Sequence, residues 1–290
     1  MNLRSSCIAV VTLTVSLLFT SGPSHAQSLS TERPSRQAWE LLKSGVSSKS
    51  ADTRRAAVGA LGIVLRDRRA IELAEEALQD EKPEVRAAAA AALGQMQASG
   101  SMAKLIEATN DKETSVALAA AQSLVQLKNE KGYDVYYQVL TGQRKGSKGA
   151  ISTELDTLKD PKKLAQMGFE EGIGFVPFGG MGLEAFRVLH GGSDSAVRAS
   201  AAKVLATDPE PTAAEALSDA TADSSWHVRV AAINAIAERG DRRLLSAVLG
   251  AMKDDKDEVK YSAAAAVLRL TQAPHTWRFA FRRRNPDSLP

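Results

Sequence analysis

The chain has 290 residues, 44% of them hydrophobic, with a formal net charge of +3 and one cysteine. Aromatics make up only 5%, so the core must be built from small aliphatic side chains, alanine above all, the residue with the best helix propensity. This composition points to an all-α chain, and a charge so close to neutral gives no basis for nucleic-acid binding, so no nucleic-acid partner is expected.

Residues 1–26 read as a signal peptide. Arg4 supplies a short positive region, Ile8 to Phe19 is an apolar run broken only by Thr and Ser, and Ser24-His25-Ala26 places small residues at the two cleavage-determining positions. The run is short for a membrane span, which is the alternative reading. Cleavage near Ala26 makes the protein exported, either periplasmic or extracellular. Cys7 would leave with the signal, so the mature chain would hold no thiol for a disulfide, a metal or a nucleophile.

After a linker at 27–35, a period of 31 residues takes over. Thr53, Val85, Val116, Val197, Val228 and Val259 are equivalent, at steps of 32, 31, 81, 31 and 31. Four residues further on, every unit has alanine: Ala57, Ala89, Ala120, Ala201, Ala232 and Ala263. Eight further on stand Leu61, Leu93, Leu124, Leu205, Ile236 and Val267. Offsets of 0, 4 and 8 share one helical face, so each unit predicts a helix that is tight at its middle, with Ala232 at such a contact. A preceding helix is predicted from the column Leu42, Ala74, Leu105, Phe186, Leu217 and Val248. Between the two helices stand Asp80, Asp111, Asp223 and Asp254, able to accept from free N–H groups at a helix start. One unit is helix, aspartate turn, helix. It cannot bury its own apolar face, so stacked neighbours must form the core, each repeat touching the next.

The D-x-x-x-x-V-R-x-A-A-x-x-x-L/I pattern at residues 80–93 and 223–236 resembles the HEAT repeats, in the short form found in phycobilisome-lyase-like proteins. The resemblance covers residues 36 to 272. It implies an α-solenoid, about seven antiparallel helix pairs long, in which the turn aspartate and the basic residue after the anchor link adjacent repeats. The matching basic residues are Arg54, Arg86, Arg198, Arg229 and Lys260, and the third unit departs from the pattern with Ala117.

The step of 81 interrupts the period. Repeats 1–4 are assigned to 36–158, the fourth degenerate around Ser147, and repeats 5–7 to 181–272. The excess at 159–180 is a glycine/phenylalanine-rich insertion. Seven of the aromatics, Tyr133, Tyr136, Tyr137, Phe169, Phe175, Phe178 and Phe186, fall between 133 and 186. Aromatics are favoured anchors and long loops often carry function, so Tyr136, Phe169, Phe175 and Phe178 are candidate partner-binding residues. The alternative is a loop that folds back and plugs the solenoid.

The tail, 273–290, carries Arg278, Arg282, Arg283 and Arg284 against Asp287, interleaved with Trp277, Phe279 and Phe281. Trp277, Phe279, Arg282 and Arg283 are the candidates here. The tail either meets a membrane surface or anionic lipid, or caps the open face of the last repeat.

Motifs for chemistry are not found. There is no H-E-x-x-H and no His-Glu dipeptide, the pair that a HEAT-like family of iron hydroxylases uses for its metal. GQRKGSKG at 142–149 has the wrong order for a phosphate loop, and GIGFVP at 172–177 lacks the third glycine of a dinucleotide site. No catalytic, cofactor-binding or metal-ligating residue is identified, and no cofactor is expected. The reading is an exported, non-enzymatic scaffold for an unknown protein partner. The alternatives are an enzyme or pigment-handling protein of the phycobilin-lyase or hydroxylase kind, and a peripheral membrane-binding protein.

Overall fold

The computed structural model describes residues 25–143 and 194–272, with side chains from residue 33 onward. The described residues form twelve α-helices, two short 3₁₀ turns and no strand. In chain order they are α1 (His25–Val46), α2 (Ala51–Leu61), α3 (Arg68–Ala77), α4 (Pro83–Gln95), α5 (Met102–Ala108), α6 (Thr114–Gln126), α7 (Lys131–Leu140), α8 (Asp194–Leu205), α9 (Pro211–Ala220), α10 (Trp226–Arg239), α11 (Leu245–Ala251) and α12 (Asp257–Gln272).

Local signals explain the boundaries. Ser50 caps α2 by accepting from the Thr53 N–H, and Asp67 caps α3 by accepting from the N–H groups of Arg69 and Ala70. Pro83 opens α4 and Pro211 opens α9, where the missing N–H costs no bond. Gly240 ends α10 in the left-handed conformation, φ +68°.

The pairs are α1/α2, α3/α4, α5/α6, α9/α10 and α11/α12. The 31-residue columns become the core. Leu42, Ala74, Leu105, Leu217 and Val248 on the first helices are fully buried, as are Leu61, Leu93, Leu124, Ile236 and Val267 on the second. The alanine column lets second helices approach closely, and Ala57, Ala89, Ala120, Ala232 and Ala263 have no exposed surface. Ala201 differs: it is exposed, on α8, which packs chiefly on α10 and less on α9 among the described helices.

Consecutive second helices pack along their length, α2 on α4, α4 on α6, α8 on α10 and α10 on α12, while consecutive first helices barely approach one another. The stack therefore curves toward the second-helix side, which forms its inner face.

The order of the stack departs from the order of the chain. α12 packs against both α1 and α2. In space the second helices run α8, α10, α12, α2, α4, α6, with α7 closing the row. The C-terminal block stands where a preceding neighbour of the first repeat would stand, and one apolar core passes through both blocks. This corrects two expectations. Each repeat does not simply touch the next in sequence, and the outward face of the last repeat is not open for a tail to cap, because α1 and α2 occupy it. The insertion at 159–180 and the tail at 273–290 lie outside the described residues.

Candidate protein-interaction face

The inner face is held in register at one edge by a ladder of ion pairs. Arg86 donates from Nε and Nη2 to the two carboxylate oxygens of Asp111, at 2.7 and 2.9 Å. Its remaining nitrogen, Nη1, donates to the carbonyls of Asp80 and Glu81 in its own turn. The same fork joins Arg54 to Asp80, Arg198 to Asp223 and Arg229 to Asp254. Each aspartate also accepts a backbone N–H two residues on: Lys82, Glu113, Ser225 and Lys256 in turn. One carboxylate thus shapes its own turn and grips the preceding repeat, a geometry that the planar guanidinium matches with two parallel bonds.

Charge follows geometry. The bonds from Arg54 and Arg198 hold the Asp80 and Asp223 carboxyls below the usual range. At Asp111 and Asp254 burial opposes the charge, yet the bonds from Arg86 and Arg229 and from the turn N–H outweigh it, and these carboxyls are also lowered. Lys260, in the same column, does otherwise. It donates to Asp257 of its own helix at 2.5 Å.

A second interlock lies at the other end of the second helices. The Gln95 side chain of α4 lies over Gly62, so close that a Cβ there would stand 2.0 Å from Oε1. One unit later, a Cβ on Gly94 would meet Ser123 Oγ at 2.5 Å and Gln126 Oε1 at 2.8 Å. Ser123 is buried and donates to the Ala90 carbonyl. Sequence reasoning missed these pairs. Their signal was available: a glycine nine residues after the anchor, followed one repeat later by glutamine at ten.

Between the two edges a half-buried stripe of the inner face carries Gly59 on α2, Ala88 and Ala91 on α4, and Leu118 and Gln122 on α6. None of these is charged. Charges flank them, with Arg55 paired to Glu258 at 2.9 Å.

Of the partner-binding candidates, Tyr136 is the one among the described residues. Its ring packs beside Ala117, Ala121 and Val135, and burial pushes its hydroxyl pKa up. It stands eleven residues before Ser147 and so falls in the column of Leu42 and Leu105, which face the core. The exposed large hydrophobic side chains of α7 are Tyr133, Tyr137 and Leu140, 51%, 66% and 85% accessible. Phe169, Phe175, Phe178, Trp277, Phe279, Arg282 and Arg283 lie outside the described residues. No group of three metal-binding side chains occurs among the described residues, and no described helix is long and apolar enough to cross a membrane. His227 stacks on Trp226 with ring centroids 3.7 Å apart.

HEAT repeats match residues 38–126, 71–151 and 184–269, most of the chain. The chain belongs to the HEAT-repeat family. Among solved structures, human deoxyhypusine hydroxylase in complex with glycerol is similar at 19% identity, with a TM-score of 0.32, over 86% of this chain and 91% of that one. The complex of CpcE and CpcF of phycocyanin lyase from Nostoc sp. PCC7120 is similar at 18% identity, with a TM-score of 0.31, over 89% of this chain and 100% of that one. No curated protein matches the sequence.

Proposed function

We propose that this HEAT-repeat protein is an exported, non-enzymatic scaffold that binds a protein partner along its inner face. One observation carries the reading: the second helices form a single continuous row, and across α2, α4 and α6 it presents a half-buried stripe, from Gly59 through Ala91 to Gln122, that carries no charge. Such a stripe lets another backbone approach closely, and its amides can bond to main-chain groups of the partner. Its charges are engaged elsewhere, in the ladder and in pairs such as Arg55–Glu258. Export is supported by Arg4, the apolar run to Phe19 and the Ser24-His25-Ala26 sequence.

The test is an affinity capture from the cell-envelope fraction, with the bound protein identified and its affinity measured on purified components. Wild type is compared with Ala91→Glu/Gln122→Glu and with a chain lacking residues 166–182. Loss of binding in the double variant alone assigns the inner face, and loss in the deletion alone moves the site to the insertion. Equal binding by all three removes both. N-terminal sequencing of the envelope form checks the export: a start at Gln27 is expected.

A further inference from the structure

The junction of α12 with α1 and α2 differs in kind from every other junction between described second helices. The others carry an Arg–Asp fork between residues 25 or 26 apart in sequence. Here the ladder stops on both sides. Ser48 stands where the first unit would need its aspartate, and Lys260 stands where the last would need its arginine. A different set of bonds replaces it. Thr53 donates to Asp257 at 2.6 Å, Arg55 to Glu258 at 2.9 Å, Ser35 to Thr271 at 2.9 Å, Gln272 to Asp67 at 2.8 Å, and Arg269 to the Ile63 carbonyl at 3.3 Å. These partners are 203 to 236 residues apart in sequence. Closing so long a loop costs more entropy than closing the local loops of the ladder, and no short connection restrains the two sides once they part.

In the apolar part of the junction Tyr261 fits against Gly45, where a Cβ would stand 2.5 Å from its ring.

We propose that this junction is a latch. The block 33–143 and the block 194–272 are each internally laddered, and the molecule opens between them as two units, uncovering the face of α12 that α1 and α2 cover. The opening is a sub-global event that leaves each block's ladder closed.

Native-state hydrogen exchange on the full chain tests this, using wild type, a disulfide-locked form and a weakened form. The lock is Ser35→Cys/Thr271→Cys with Cys7→Ser, placed where two hydroxyls are already 2.9 Å apart. The weakened form is Thr53→Val/Arg55→Ala. In wild type, the amides of α12 that face α1 and α2 should exchange through an opening that leaves α4 and α6 protected. Oxidising the lock should slow that exchange at least about tenfold, the weakened form should speed it, and α4 and α6 should change little in either. Exchange of α12 together with α4 and α6 in one global step, unchanged by the lock, would overturn the proposal.

Discussion

Arg86 and Asp111, 25 residues apart, meet in a two-point ion pair that fastens the second repeat to the third while the same arginine holds the carbonyls of its own turn. The side chains are only 9% and 13% accessible. Removing one partner strands the other. Arg86→Ala should destabilise the protein by roughly 3 kcal/mol, as breaking a buried pair does, read as a lower urea midpoint at unchanged slope. Arg198→Ala, whose side chain is 38% accessible, should cost distinctly less.

The ladder also sets an acid limit. The carboxyls of Asp80, Asp111, Asp223 and Asp254 are lowered in the folded state. Their contribution is therefore fully present above the unfolded carboxylate value, about 3.9, and is lost as pH falls through the lower folded values. Stability should begin to drop below about pH 5. Thermal melting from pH 7 to 3 checks this, and Asp111→Asn should melt lower at pH 7 but fall less steeply.

One column offers a matched pair of substitutions. Ala232→Asp puts a charge on a site with no exposed surface and should cost several kcal/mol, about 3 or more. Ala201→Asp, in the same column but exposed, should stay within about 0.5 kcal/mol. Equal losses in chemical denaturation would refute the assigned register.

Two glycines make a second contrast. A Cβ on Gly45 would stand 2.5 Å from Tyr261 and 2.6 Å from the Ala57 Cβ, whereas one on Gly59 would meet nothing within 4 Å. Gly45→Ala should lower stability by about 1–3 kcal/mol through overpacking. Gly59→Ala should raise it by about 0.5–1 kcal/mol through helix propensity. Differential calorimetry separates the two by sign.

The repeat was legible because period and packing are the same fact. A column of alanine four residues after each anchor marks where helices approach, and Ala57, Ala89, Ala120, Ala232 and Ala263 are all fully buried. The spatial order of the repeats was not legible, because a repeat records how it meets a neighbour and not which neighbour it meets. The clue lay in the exceptions: Ser48 and Lys260 break the two ladder columns at the one described junction that joins the first and last repeats. The site was less legible still. Aromatic density drew attention to Tyr136, yet its column turns its ring toward α6 and leaves Tyr133 and Tyr137 at the surface. The uncharged stripe of the inner face carries no motif at all, since what it offers is room.

The placement of α12 also bears on how the protein is made. In an ordinary array the first repeats can settle as they leave the ribosome, because their neighbours follow at once. Here α1 and α2 gain one of their neighbours only when residues 257–272 have been synthesised, far along the chain. Until then an apolar face of α1 and α2 stays uncovered, as a vectorially growing chain exposes surface it has not yet buried. A chain of this design benefits from staying unfolded until that segment is available.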